Sequence, residues 1–131
     1  MWLMTVYGFY SASVYTPNRV TVRARMRVHL ENLKARFQTL KAVPIVKTPE
    51  RDYPFRMVVD QKEWVSMVSA LVAEQTWANF KDAAAKFEKE HGQPRAYVDM
   101  LHTLWHVIQQ KLERKTRLQH GYIDAHNEGA E

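Results

Sequence analysis

The sequence predicts an α+β fold in which helices pack on one face of a four-stranded, mostly antiparallel sheet. The first observation is that most of the first sixty residues either alternate apolar with polar side chains or are rich in aromatic and β-branched residues, as strands are. The second is that apolar residues recur at three- and four-residue steps in one early segment and throughout the chain after residue 60. The element order, two strands, a helix, two strands and three helices, favours an α+β layer over a parallel α/β fold.

Four segments have strand character: residues 2–15, 19–25, 42–47 and 53–59. Gly8 is expected to make a bulge or bend within the first strand, and residues 16–18 (Thr-Pro-Asn) supply a turn into the second. Pro44 restricts the third segment to a sheet edge or a strand start. In the fourth, residues 53, 55, 57 and 59 are predicted to share one face.

Four segments have helical spacing of apolar residues: 28–40, 61–72, 77–91 and a long C-terminal helix over 97–119. Asp60 and Glu63 have the spacing of a capping box and predict the start of the second helix. Gly92 and Pro94 predict the end of the third.

Length and composition predict one domain over residues 1–120, followed by a polar, mobile tail over 121–131. The 131 residues are 46% hydrophobic, which is ample for a core. The absence of cysteine excludes a disulfide framework, a zinc–thiolate site and a cysteine nucleophile, and it fits a reducing compartment. No window reaches the length of a transmembrane helix and no signal peptide is recognisable, so we expect a cytoplasmic protein without a membrane anchor.

Positive charge is concentrated in one segment. The whole chain has a net charge of +5, whereas residues 19–56 contain ten Lys and Arg against three acids, a net +7. This asymmetry predicts that one face of the fold meets an anionic partner.

The stretch TVRARMRVHL (residues 21–30) places arginines at every second position of a predicted strand. If the intervening apolar residues are buried under helices, Arg23 and Arg25 point to the opposite face of the sheet, about 6.6 Å apart along the strand. Arg27, at the strand-to-helix junction, and Arg56, on a neighbouring strand, are expected to join them. The guanidinium fork suits phosphate oxygens. The alternative is a solvated strand face or arginines held in structural ion pairs.

Two weaker constellations involve histidine. His29 follows the arginine row and is the one candidate for a general acid beside a bound phosphate. Asp99, His102 and His106 have three- and four-residue spacing that suits a metal, although the glutamate of an HExxH motif is missing and polar helix surface is the simpler interpretation. We therefore predict no cofactor and no metal, and favour a non-enzymatic protein.

Four stretches together resemble a small uncharacterised family of bacterial and phage proteins: VRARMRVHLENL (22–33), TPERDYPFRMVV (48–59), WANFK (77–81) and YVDMLHTLW (97–105). The resemblance covers residues 2–108 and implies a stand-alone domain with no catalytic residue to carry over. The element order also resembles the ferredoxin-like plait, a fold shared by RNA-binding modules, acylphosphatases and small-molecule sensors, and a likeness of fold does not define function.

Three functions follow from these observations. The first is binding of a phosphate-bearing ligand, nucleic acid or nucleotide, by the basic face of the sheet through Arg23, Arg25, Arg27 and Arg56. The second is a protein-interaction module, related to phage or mobile elements, that docks on an acidic protein partner. The third is an enzyme that cleaves RNA or processes nucleotides. A homodimer through the apolar positions of the last helix is also expected; these are Leu101, Ile108 and Leu112.

Overall fold

The computed structural model describes residues 1–113, which belong to two compact units: an N-terminal unit, Met1–Gln93, and a C-terminal unit that begins at Pro94. The N-terminal unit contains an antiparallel sheet with strand order β1-β2-β3-β5-β4. Its five strands are β1 (Trp2–Thr5), β2 (Gly8–Thr16), β3 (Arg19–Ala24), β4 (Val46–Lys47) and β5 (Phe55–Asp60). The α+β class and the antiparallel pairing are as predicted, but the sheet has five strands where four were expected.

Three α-helices belong to the N-terminal unit and one to the described part of the C-terminal unit. They are α1 (Arg27–Arg36), α2 (Gln61–Ala73), α3 (Phe80–Glu90) and α4 (Ala96–Ile108). A 3₁₀ turn, Gln38–Leu40, follows α1, and a π-helical turn, Gln109–Glu113, follows α4. Within residues 1–113, no helix is both long and apolar enough to cross a bilayer. Three strands in succession precede the first helix, so the ferredoxin-like order is not confirmed.

The fifth strand arises because the predicted strand over residues 2–15 folds as a hairpin. Thr5 pairs with Gly8, and the Thr5 hydroxyl accepts a hydrogen bond from the Tyr7 amide and donates to the Gly8 carbonyl, both at 3.1 Å. Gly8 has φ +148°, and a Cβ there would lie 2.3 Å from Cγ of His29. Gly8 therefore ends a tight turn against a helix instead of making a bulge within one strand.

The core lies between one face of the sheet, here called the inner face, and helices α1 and α2. Inner-face residues Val22 and Ala24 of β3 and Met57 of β5 are fully buried, together with Leu30 of α1 and Met67 of α2. Burial of these alternate positions fixes the register of the central strands, because a slip by one residue would expose them. The intervening positions define the outer face.

The helix α2 begins where the sequence predicts, but the predicted capping hydrogen bonds are not formed. Asp60 is the N-cap of α2, but its side chain makes no capping hydrogen bond and instead pairs with Arg19, with 3.6 Å between Oδ1 and Nε. Glu63 accepts a hydrogen bond from the Thr39 hydroxyl. The predicted capping box is therefore wrong in its contacts and correct in its position. In α3, Asn79 does cap the helix by accepting from the amide of Asp82 at 3.1 Å.

The structure also bears on the predicted bounds of one strand, 42–47, and of the C-terminal helix, 97–119. The strand predicted over 42–47 is paired only at Val46–Lys47. The last helix is α-helical up to Ile108 and π-helical over Gln109–Glu113, and the rest of the predicted helix over 97–119 lies outside the described residues. Residues 114–131, including the predicted tail, lie outside the description, and one domain over residues 1–120 stays a prediction.

Candidate anion-binding site

A row of five residues crosses the outer face of the sheet, one from each strand. The strand register places Trp2 opposite Ser11, Ser11 opposite Arg23, Arg23 opposite Arg56, and Arg56 opposite Val46. Directly opposed side chains on antiparallel strands have Cβ atoms about 4.5–5.5 Å apart, and like charges in such a pair repel. The fold therefore brings two arginines from distant parts of the chain side by side.

The loop over residues 48–54, between β4 and β5, places Tyr53 against these arginines. Cζ of Arg23 lies 5.1 Å and Cζ of Arg25 lies 4.6 Å from the centroid of the Tyr53 ring, both within cation–π distance. Arg25 Nη1 donates to the carbonyl of Asp52 at 3.0 Å, and Arg56 Nη2 donates to the carbonyl of Tyr53 at 3.3 Å. Two arginines therefore lie against the ring of Tyr53 and a third binds its backbone carbonyl, and Tyr53 is only 5% exposed.

No carboxylate of residues 1–113 forms an ion pair with this arginine cluster (Arg23, Arg25 and Arg56). Arg23 donates from Nη2 to the hydroxyl of Ser11 at 2.8 Å, but Nε of Arg23 and Nε of Arg56 are buried without a hydrogen-bond partner. A buried donor without an acceptor costs free energy, and more so when the group is charged.

Carboxylates pair with three other arginines of the N-terminal unit: Arg19, Arg27 and Arg36. Arg27 pairs with Glu31, with 3.0 Å between Nε and Oε1, and Arg36 pairs with Glu74 at 2.8 Å. Arg27 is the first residue of α1, so it lies beyond the end of β3 and is engaged along the helix. The structure thus groups Arg23, Arg25 and Arg56 of the predicted site and leaves Arg27 outside the cluster.

Aromatic rings continue from the arginine cluster toward the free edge of the sheet. The Phe9 ring centroid lies 6.3 Å from that of Tyr53 and 5.7 Å from that of Trp2, the latter with the rings perpendicular. Trp2 is 70% exposed. The sequence interpretation missed Tyr53, because it placed residue 53 on the same strand face as Phe55. Pro54 was the available indication, since proline favours a strand start over an interior position and β5 begins directly after it.

His29 lies on the other side of the sheet from the arginine cluster. Its ring packs on Gly8 at the inner face, and its Nδ1 accepts a hydrogen bond from the amide of Phe9 at 3.3 Å. Burial lowers the pKa of His29 from 6.5 to about 4, so the ring is neutral at physiological pH. The structure therefore places this imidazole away from any anion held by the arginines.

The three candidate metal ligands are all on α4. No group of three or more His, Cys, Asp or Glu side chains within the described chain is arranged to hold a metal ion. Asp99 instead faces Arg95, with 3.7 Å between Oδ1 and Nε, while His106 contacts the ring of Trp105. Asp99, His102 and His106 are therefore helix residues without a shared coordination geometry.

The predicted dimer positions differ in exposure. Leu101 is buried, whereas Ile108 is 46% and Leu112 is 63% exposed. Dimerisation through this part of the chain stays a prediction.

A second polar cluster lies beside an apolar cavity of about 220 Å³, lined among others by Leu3, Val68 and Trp77. The Tyr7 hydroxyl donates to Oε1 of Glu74 at 2.7 Å, and Arg36 occupies the other carboxylate oxygen at 2.8 Å. Burial and the bond to Glu74 raise the pKa of Tyr7 to about 12. The charges and hydrogen-bonding groups of Tyr7, Glu74 and Arg36 satisfy one another, so this cluster is no candidate for binding a charged ligand.

Comparison with known proteins gives no match to a protein-family model, a curated protein or a solved structure. The fold and the site define the chain as an α+β protein with an arginine cluster on the outer face of its sheet. Its function has to follow from that geometry.

Proposed function

We propose that the outer face of the sheet binds a phosphate-bearing ligand, nucleic acid or nucleotide, through Arg23, Arg25 and Arg56. One observation carries the proposal: two arginines stand directly opposite each other with both Nε donors buried and unpartnered, and neither forms an ion pair with a carboxylate of the described chain. An anion bound at the Nη groups of the two guanidinium ions would offset their charge and reduce the repulsion.

The neighbouring contacts hold the guanidinium groups in place before any ligand arrives. Tyr53 lies against two of them, and backbone carbonyls of the 48–54 loop accept from Arg25 and Arg56. Binding then costs less side-chain entropy than it would with freely rotating arginines. Charge-assisted hydrogen bonds to such fixed forks are the stronger kind.

Phosphate suits the cluster better than a carboxylate does. A carboxylate has two oxygens and is satisfied by one bidentate guanidinium, whereas a phosphate presents acceptors to several guanidinium groups at once. A cluster of three arginines from β3, its C-terminal end and β5 matches the second case. Docking on an acidic protein uses the same charges and is the alternative that the experiment below separates.

The test is binding of a fluorescein-labelled single-stranded 12-mer by anisotropy across a salt series. With three phosphate contacts, the logarithm of the association constant is expected to fall with the logarithm of salt concentration with a slope of about −2. Arg23→Gln/Arg56→Gln should weaken binding and flatten the slope to about −0.7, because one contact remains.

A matched double variant controls for net charge. Arg19→Gln/Arg27→Gln removes the same two charges, but from arginines that are paired with Asp60 and Glu31. It should retain most of the affinity. If the two folded double variants lose equal affinity for the oligonucleotide, binding depends on overall positive charge and not on the arginine cluster. If the protein binds polyglutamate and not the oligonucleotide, an acidic protein partner is favoured.

A further inference from the structure

Trp2 is the most exposed aromatic side chain near the arginine cluster. It is 70% exposed on the edge strand β1, where no further strand pairs with it. A single exposed apolar residue is ordinary. The position of Trp2 is unusual, because this residue begins the same cross-strand row that contains Arg23 and Arg56.

Arg23 is oriented toward this tryptophan. Its Nη2 donates to the hydroxyl of Ser11, the residue that lies between Arg23 and Trp2 in the row. Adjacent strands are about 4.8 Å apart, so the two Cα atoms are separated by about 10 Å. The Arg23 side chain covers part of this separation, because its Nη2 reaches the hydroxyl of Ser11.

Phe9 supports the indole from the neighbouring strand. The two rings are perpendicular with centroids 5.7 Å apart, and Phe9 is itself half-buried and near Tyr53. The contact restricts Trp2 and leaves most of its surface exposed to solvent. A restrained, exposed aromatic ring beside fixed guanidinium groups is the arrangement that single-stranded nucleic acid requires, with bases on rings and phosphates on arginines.

We infer that the phosphate-bearing ligand is single-stranded nucleic acid and that one of its bases stacks on Trp2; this inference rests on the proposed function. Duplex bases are already stacked on each other and offer no free face to the indole. A mononucleotide would use the ring and Arg23, and would leave the guanidinium groups farther along the row without a phosphate. Stacking is tolerant of base identity, so little sequence preference is expected.

The experiment compares three labelled probes: a dT 12-mer, an abasic 12-mer with the same number of phosphates, and a 12-base-pair duplex. The wild type should bind the dT 12-mer at least about 5-fold more tightly than the abasic strand, and also more tightly than the duplex. Trp2→Leu should lower affinity for the dT 12-mer to that for the abasic strand and leave the abasic strand unaffected. Trp2→Phe should restore part of the difference.

Intrinsic fluorescence gives a second measure. The dT 12-mer should quench tryptophan emission in the wild type and not in Trp2→Leu. The control is Trp105→Leu, which removes a second exposed tryptophan, 47% exposed, from the C-terminal unit. That variant should retain both the quenching and the preference for the dT 12-mer.

Three results overturn the inference and are distinguishable from one another. If the dT and abasic strands bind equally, with dependence on Arg23 and Arg56 but not on Trp2, stacking is wrong and the proposed phosphate site stands. If neither strand binds in an arginine-dependent way, the proposed function fails, and this inference fails with it. Duplex binding as tight as that of the dT 12-mer would also reject the single-strand preference.

Discussion

Replacing Gly8 by alanine perturbs the point at which the first hairpin meets α1. The backbone of Gly8 has φ +148°, a region that residues with a Cβ rarely adopt, and strain of this kind costs about 1–3 kcal/mol. The added Cβ would lie 2.3 Å from Cγ and 2.6 Å from Cβ and Cδ2 of His29. Displacing a packed ring adds about 1–3 kcal/mol. We therefore expect Gly8→Ala to lower the free energy of unfolding by about 2–6 kcal/mol, measured by urea denaturation followed by circular dichroism.

A double-mutant cycle with His29→Ala measures the part of the cost that comes from the ring. Removing the ring relieves the contacts with Cγ and Cδ2 and leaves the contact with Cβ and the backbone strain, so the double variant should be less destabilised than the sum of the single variants by about 1–2 kcal/mol. Gly92→Ala is the control: its φ of +61° is also left-handed, but nothing lies within 4 Å of the added Cβ. It should cost about 1–2 kcal/mol and show no coupling to His29. Additivity of Gly8→Ala and His29→Ala within about 0.5 kcal/mol would refute the reasoning.

Four further outcomes are expected. Because the pKa of His29 is about 4 in the folded state and 6.5 in the unfolded chain, its contribution to stability is complete above pH 6.5 and falls by about 3 kcal/mol as the pH decreases to 4; urea unfolding across this range should show the loss, and His29→Gln should not. Burial and the bond to Glu74 raise the pKa of Tyr7 to about 12, and Glu74→Gln should lower it in a phenolate absorbance titration; an unchanged curve would contradict the hydrogen bond. Asn79→Ala should destabilise by about 1 kcal/mol in chemical denaturation, through the lost cap of α3. Tyr53→Leu should speed amide hydrogen exchange in the 48–54 loop and weaken oligonucleotide binding, whereas a purely local role would leave affinity unchanged.

The fold could be predicted where local pattern and burial agree. Alternation over residues 19–25 corresponds to β3, and the helical spacing after residue 60 corresponds to α2 and α3. The hairpin between β1 and β2 could not be predicted, because its turn contains no Asn-Gly or Asp-Gly pair and depends on Gly8 packing against His29, far away in sequence. The two-residue strand β4 likewise exists through its pairing with β5 alone.

The site was predictable to the extent that it follows from strand parity. Parity correctly groups Arg23 and Arg56 on the outer face, since both lie between buried positions of their strands. Strand parity gives no information on Arg27, because this residue is the first of α1 and does not belong to a strand. It also gives none on Trp2, because the row from Trp2 through Ser11 to the arginines exists only once β1 and β2 form separate strands.

Arginines on the outer face of a sheet can simply be solvated or can stabilise the fold. Other arginines of this chain argue against that explanation for the cluster. Arg27 and Arg36, which lie outside the cluster, each form an ion pair with a carboxylate. Holding the Tyr53 loop would explain the bonds from Arg25 and Arg56 to backbone carbonyls, but a neutral donor would serve that purpose without repulsion. It does not explain why Arg23 stands opposite Arg56 with both Nε atoms buried and unpartnered. The proposed anion would offset the repulsion between the two arginines, and this is the reason for preferring an anion-binding site to a purely structural role.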